Sequence, residues 1–151
     1  MLRSKMAILI DNQHPNLPLG IQSVQRKAQA ILNALACPEG ELSLLLVDDD
    51  NIARLNAMYL NHQGPTNVIS FPMREGAHGD IHPELLGDVV ISIDTCARES
   101  REAGMSAEER FDELLVHGIL HLFGYDHIHS EDEAAVMEAK SRELAALIKE
   151  L

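Results

Sequence analysis

HGILHLFGYDH, residues 117–127, sets three histidines in the pattern HxxxHxxGxxH. Four residues of helix advance roughly 6 Å and turn a little more than once, so His117 and His121 leave one face with their rings in reach of a single cation. Gly124 suits a left-handed helix end, where the chain reverses and brings His127 back toward the same point. Neutral imidazole binds zinc at about 2.0–2.1 Å, and a set of three leaves the fourth tetrahedral position to water or substrate. The stretch therefore predicts a helix, its stop, and a metal centre of His117, His121 and His127 that is open to chemistry. Zinc is the default ion, and nickel or copper also suit such a site in vitro.

Zinc proteases with the signature HExxHxxGxxH share the three histidines and the glycine. Their Glu, beside the first His, is the general base. Here that position is Gly118, which disfavours peptide hydrolysis by that route. The opposing reading is three histidines at ligand spacing by chance on a buried helix. It has to explain the glycine turn as well as the spacing, and it is the weaker of the two.

Outward from the motif, Ser106 with Glu109 forms a capping box that opens the helix. The run from Phe111 to Phe123 is apolar on several faces, which predicts a central, buried helix. Two imidazoles there are costly unless bonded, and a shared metal would bond them. Ser130 with Glu133 opens a last amphipathic helix that runs to the end of the chain.

Toward the N-terminus, Met6 to Ile10 reads as a strand and Gly20 to Ala36 as a helix with a stripe of Ile21, Val24, Ala28, Ile31, Leu32 and Leu35. Glu41 to Val47 is a second strand. Asp48, Asp49 and Asp50 suit the N-terminus of a helix through Tyr59, where carboxylates cap free amides and complement the dipole. After the breaker Gly64-Pro65, Asn67 to Phe71 is a strand closed by Pro72. Residues 73–85 carry Gly, His and Pro without periodicity and read as a mobile loop, in which His78 and His82 are solvated rather than ligands. Gly87 to Ile93 is a fourth strand, and Asp94 caps a helix to Gly104. Four strands interleaved with five helices and no repeat predict one α/β or α+β domain, with the strand order unreadable.

The formal net charge of −12 excludes indiscriminate nucleic-acid binding, which rests on Lys and Arg neutralising phosphates. Any RNA must meet a local basic surface. Arg3, Lys5, Arg26 and Lys27 against Asp11 alone make the first thirty residues a weak candidate for one, beside the plainer reading of a solvated helix face. No apolar run approaches the roughly 20 residues of a membrane span, and the stretch before Asp11 is too short for a signal peptide, so a cytoplasmic location is expected. Cys37 and Cys96 form no CxxC and read as small apolar residues in a reducing compartment.

HGILHLFGYDH (117–127), TNVISFP (66–72), LGDVVIS (86–92), and LN with Tyr59 ahead of the breaker together resemble the YbeY family of bacterial endoribonucleases. The likeness runs from about the second strand to the last helix; the N-terminal part matches only in element order. The resemblance implies an α+β, zincin-like single domain over residues 1–151, with a mixed sheet. It also implies a zinc-dependent, single-strand-specific endoribonuclease that matures ribosomal RNA, notably the 3′ end of small-subunit RNA, and acts in ribosome quality control. The family's zinc would fall on His117, His121 and His127. Its implied partners are RNA, the small ribosomal subunit with one of its proteins, and an assembly GTPase.

One departure stands out. The family usually carries Arg directly after the Tyr of this segment, pointing toward the metal cleft, and this chain has Leu60. An Arg there could clamp a phosphate bidentately. Arg54 or Arg74 are the nearest substitutes in sequence, and His62, between Asn61 and Gln63, is a further donor; otherwise cleavage is weaker.

The general base is not readable. A metal-bound water of lowered pKa or a 2′-hydroxyl attack both suit the residues present. Asp126, beside His127, and Glu113, one turn before His117, are candidates to orient an imidazole, or are ordinary turn and helix-surface carboxylates. Asp88, inside an apolar strand, is either a buried anchor near the cleft or a strand-edge residue. Two other functions compete: a ribosome-assembly factor with a mainly structural metal, and another zincin-like metal hydrolase with its base elsewhere.

Overall fold

Leu42, Leu44 and Leu46 alternate with Ser43 and Leu45 along Glu41–Val47, the strand β2, and this two-residue period gives the chain a two-faced sheet. The computed structural model describes residues 7–73, 84–125 and 130–151. The remaining elements are β1 (Ile8–Asn12), α1 (Ile21–Ala34), α2 (Asp49–Leu60), β3 (Val68–Pro72), β4 (Leu85–Ser92), α3 (Ile93–Ala103), α4 (Ala107–Leu122) and α5 (Glu131–Ile148). The architecture is α+β, with a four-stranded mixed sheet and five helices, as the sequence predicts.

The strands lie in the order β1-β2-β4-β3. β1, β2 and β4 run parallel, while β3 is antiparallel to β4 and forms an edge. β1 continues past the predicted Ile10 because Asp11 and Asn12 still pair with Leu45 and Leu46. Its predicted start at Met6 lies outside the described residues.

One face of the sheet carries Ile8, Leu42, Leu44, Leu46, Val89 and Ile91 against α1 and α4, and this is the main core. The opposite face is covered only in part. Val47, Ile69 and Val90 pack with Ile52 of α2, and beyond them Leu9, Ser43, Tyr59, Phe71 and Asp88 line an open hollow of about 730 Å³.

Lys27 is 0% exposed. Its ammonium donates to Asp112 Oδ2 at 3.0 Å and to the Ile148 carbonyl at 2.8 Å, tying α1 to α4 and α5. The hydroxyl of Ser23 and the guanidinium of Arg26 donate to the Leu151 carbonyl, so α1 also grips the end of the chain. Of the four N-terminal cations, Lys27 is internal and cannot contribute to a basic surface, Arg26 is exposed and bonded to the Leu151 carbonyl, and Arg3 and Lys5 lie outside the described residues. Burial pushes the Asp112 carboxyl above its usual range even though Lys27 pulls it down.

A second polar cluster joins the starts of α2 and α3. Asp48 caps α2, accepting from the Asn51 N–H at 2.9 Å, as the acidic run predicts. The cap of α3 is Ser92, which accepts from the Thr95 N–H at 3.1 Å, and not Asp94. Asp94 instead accepts from the Asp49 N–H at 3.0 Å and from His14 Nε2 at 2.7 Å. Asp49 in turn accepts from Ser92, Thr95 and Arg98, each at 2.7 Å.

Cys37 and Cys96 are both free, and burial pushes the Cys96 thiol up to about 11, which makes it an inert core residue. No helix among the described residues is long and apolar enough to cross a membrane.

Candidate metal centre

The helix α4 begins with the predicted capping box. Ser106 Oγ accepts from the Glu109 N–H at 3.1 Å, and the Glu109 carboxylate accepts from the Ser106 N–H at 3.0 Å. Nine of its residues are buried, Phe111, Leu115 and Ile119 among them, so its axis is fixed against the sheet. The i, i+4 spacing then sets His117 and His121 on one face, with their Nε2 atoms 3.0 Å apart. The rings meet edge to face, with centroids 4.5 Å apart. Both are half-buried, on a cleft wall and not inside the core as the apolar run suggests.

This geometry fits a shared metal ion. Two ligand nitrogens of one tetrahedral site, each about 2.0–2.1 Å from the ion, stand about 3.3 Å apart. Gly124 adopts φ +90°, the left-handed conformation that the turn needs. His127 and Asp126 lie outside the described residues, as do His78, His82 and Arg74. Among the described residues no group of three His, Cys, Asp or Glu stands together as a ligand set.

Gly118 has a role that spacing does not reveal. A Cβ there would come within 2.6 Å of Val89 Cγ1 and 3.1 Å of Val68 Cγ2. Position 118 thus faces the sheet, and its bareness lets α4 close on β3 and β4. The Ser70 hydroxyl donates to the Gly118 carbonyl at 2.8 Å and seals that contact. A glutamate at this position would meet valines, so the missing general base is also a packing requirement.

The cleft in front of the histidines has a volume of about 320 Å³. Its walls are the core-facing side of β3, with Val68, Ser70 and Pro72, the His face of α4, Tyr125, and Leu60 from the end of α2. Leu60, 43% exposed, stands where the resemblance calls for a cation, and no Lys or Arg lines the cleft among the described residues. Arg54 does not replace it: its guanidinium donates to Asn51 Oδ1 at 3.0 Å, one turn back on α2. His62 is exposed, and its N–H donates to the Asn56 carbonyl at 3.2 Å.

His117 and Val68 also line a second groove, of about 550 Å³, between α4 and α5. Arg110 lies in it, held by Glu99 at 2.8 Å and Glu113 at 2.7 Å. Glu113 is thus beside His117 in the same groove, with its carboxylate engaged by Arg110. Asp88 is exposed on the opposite face of the sheet, in the central strand β4, so it is neither a buried anchor nor at an edge.

The model of the family Endoribonuclease YbeY matches residues 9–149. This chain belongs to that family. It is 49% identical over 144 residues to the Endoribonuclease YbeY of Syntrophotalea carbinolica, covering 95% of this chain and 96% of that one. It is 48% identical over 145 residues to the Endoribonuclease YbeY of Geobacter sulfurreducens, covering 95% and 97%. The solution structure of a Thermotoga maritima protein shares the fold, with a TM-score of 0.68 at 23% identity, covering 93% of this chain and 88% of that one. In this YbeY-family chain, sequence reasoning missed Ser70, Tyr125 and the α4–α5 groove. The first two lie within quoted motifs, but only the pairing of β3 beside α4 turns them toward the histidines.

Proposed function

We propose that this chain is a zinc-dependent endoribonuclease specific for single strands. The observation that carries the reading is the pair of His117 and His121 nitrogens, 3.0 Å apart on the wall of a cleft, in a chain of the Endoribonuclease YbeY family. His117 and His121 hold the ion, with His127 as the third ligand. Zinc, when bound, supplies Lewis acidity and lowers the pKa of a water toward about 7. The protein's own residues do the rest. Gly118 and Ser70 hold α4 against β3 and so fix the wall of the cleft on which the histidines stand. Tyr125 offers a ring on which a base can stack. Asp126, beside His127 in sequence, is the carboxylate that acts on ring orientation, and Glu113, one turn before His117, acts there only if it is released from Arg110.

The substrate we propose is ribosomal RNA, near the 3′ end of the small-subunit RNA, with the small subunit and an assembly GTPase as partners in the cytoplasm. Residues 1–151 act as one hydrolase domain of zincin-like design, and the same cleavage serves ribosome quality control. Purified protein should cleave labelled single-stranded ribosomal RNA, lose that activity to chelator, and regain it with zinc. His117→Ala should not regain it. A folded, zinc-loaded protein that leaves the RNA intact would overturn the reading.

The apolar wall at Leu60 favours a second reading, an assembly factor whose metal is structural. Chelation separates the two. A structural ion takes stability with it, whereas a catalytic one leaves the fold of a core this size standing.

A further inference from the structure

The cleft in front of His117 and His121 has no Lys or Arg in its walls among the described residues, yet an RNA strand brings a phosphate with every nucleotide. The α4–α5 groove shares His117 and Val68 with that cleft, so the two adjoin at the histidine. Its volume of about 550 Å³ lies within the roughly 300–1,000 Å³ usual for small-ligand sites. Val68, Ala134 and Ala145, all partly exposed over the buried Leu114 and Met137, give it an apolar side against which a planar base can lie. Ser141 and Arg142, neighbours on α5, stand on its polar side.

Two guanidinium groups border the groove, and they differ in availability. Arg110 is clamped between Glu99 and Glu113 at 2.7–2.8 Å, with its side chain 25% exposed. The Arg142 side chain is 74% exposed and, among the described residues, is paired through a long contact of 3.9 Å with Glu138, one turn earlier on the same exposed helix face. A phosphate reaching Arg142 displaces a weak surface pair, of the kind that contributes little by itself. In exchange it gains the bidentate, charge-assisted contact that guanidinium makes best.

We propose that the α4–α5 groove is a subsite for the nucleotide next to the scissile phosphodiester. The base lies against Val68, Ala134 and Ala145, and Arg142 binds the adjoining phosphate. The proposal rests on the endoribonuclease reading above. It supplies from α5 the cation that Leu60 does not supply from α2.

The test uses the full chain loaded with zinc and a labelled single-stranded oligonucleotide, with cleavage followed at several salt concentrations. Arg142→Ala should raise KM about tenfold with kcat nearly unchanged, and should lower the slope of log affinity against log salt by about 0.7, one phosphate on a single strand. Arg142→Lys should restore most of the affinity. Ser141→Trp, which fills the groove without touching Arg142, should raise KM as well, with circular dichroism and the thermal midpoint reporting that the fold is kept. If the parent protein cleaves RNA and Arg142→Ala keeps its KM and salt slope, the subsite is overturned and the ribonuclease reading stands. If the parent neither binds nor cleaves, both fall.

Discussion

The His face of α4 and the polar network at the heads of α2 and α3 both gather ionisable side chains, but they are assembled in opposite ways. His117 and His121 are four residues apart, and one helical turn brings them together. Asp49, Ser92, Thr95, Arg98, Asp94 and His14 bond in pairs up to 80 residues apart and meet only because β1, β2 and β4 end side by side. The first arrangement needs little of the fold beyond α4 itself, and the second is made by the fold. Removing a histidine should therefore cost chemistry and little stability, while removing a member of a distant pair should cost stability first.

The largest effect expected is on activity. His121→Ala should lower cleavage of single-stranded RNA by more than about a hundredfold and strip the bound zinc, while the midpoint of urea unfolding of the metal-free protein barely moves. Metal analysis beside equilibrium unfolding checks this, and a large drop in metal-free stability would break the contrast between local and distant clusters.

Lys27→Met should be the most destabilising of the distant changes, by about 3–5 kcal/mol, because it leaves Asp112 buried and unpaired. Adding Asp112→Leu should recover most of that loss. Urea melts of the single and double variants give the answer. A double variant as unstable as the single would mean that Lys27 acts through the Ile148 carbonyl rather than through the ion pair.

Gly118→Ala probes the boundary between the two kinds of cluster. Helix propensity alone would reward alanine by about 1 kcal/mol. The 2.6 Å approach to Val89 instead predicts a net loss of about 1–3 kcal/mol and a wider gap between α4 and β3. A gain in stability would show that α4 does not pack on the sheet as described.

The smallest effect is the acid limb of stability. Burial raises the Asp49 carboxyl, but hydrogen bonds from Ser92, Thr95 and Arg98 outweigh it and hold the group below its ordinary range. The Asp49 N–H and His14 hold Asp94 low as well. Carboxylates depressed by folding stabilise the protein above the unfolded value near 3.8, and that contribution is lost as the pH falls through their folded values. Asp112 has the opposite sign: raised by burial, it favours the fold at low pH and loses that contribution as the pH rises through its folded value. Asp49→Asn should therefore cost about 1 kcal/mol near pH 7, and its difference from the parent should shrink as the pH falls below 3.8, read from melts across the acid range.

What was legible in the sequence follows the same division. The α4 capping box, the left-handed Gly124, the α1 stripe from Val24 to Leu32 and the span of β2 are local patterns, and they appear where the sequence puts them, while Ile21 at the head of the stripe is 43% exposed and Leu35 falls past the helix end. The displaced cap of α3 is informative. Asp94 has the chemistry of a cap, but His14, just after β1, and Asp49 of α2 claim it and leave the task to Ser92. Lys27 reads as a surface charge because nothing near it in sequence announces Asp112, 85 residues away. Asp88 shows the same blindness, since alternation fixes that it faces away from α4 but not that α2 leaves that face open. In the candidate site, the meeting of His117 and His121 on one face was readable and the walls around them were not. Leu60, Ser70 and Tyr125 converge through the order β2-β4-β3, which no spacing encodes.

The most direct test of the central claim is the rate of single-stranded RNA cleavage against zinc occupancy, measured on chelated protein titrated with zinc and on His121→Ala treated alike. A rate that rises in proportion to zinc and saturates near one ion per chain, with His121→Ala flat throughout, is the result expected. Cleavage that persists in zinc-free protein, or a His121→Ala variant that takes up zinc and cleaves as the parent does, would contradict the account.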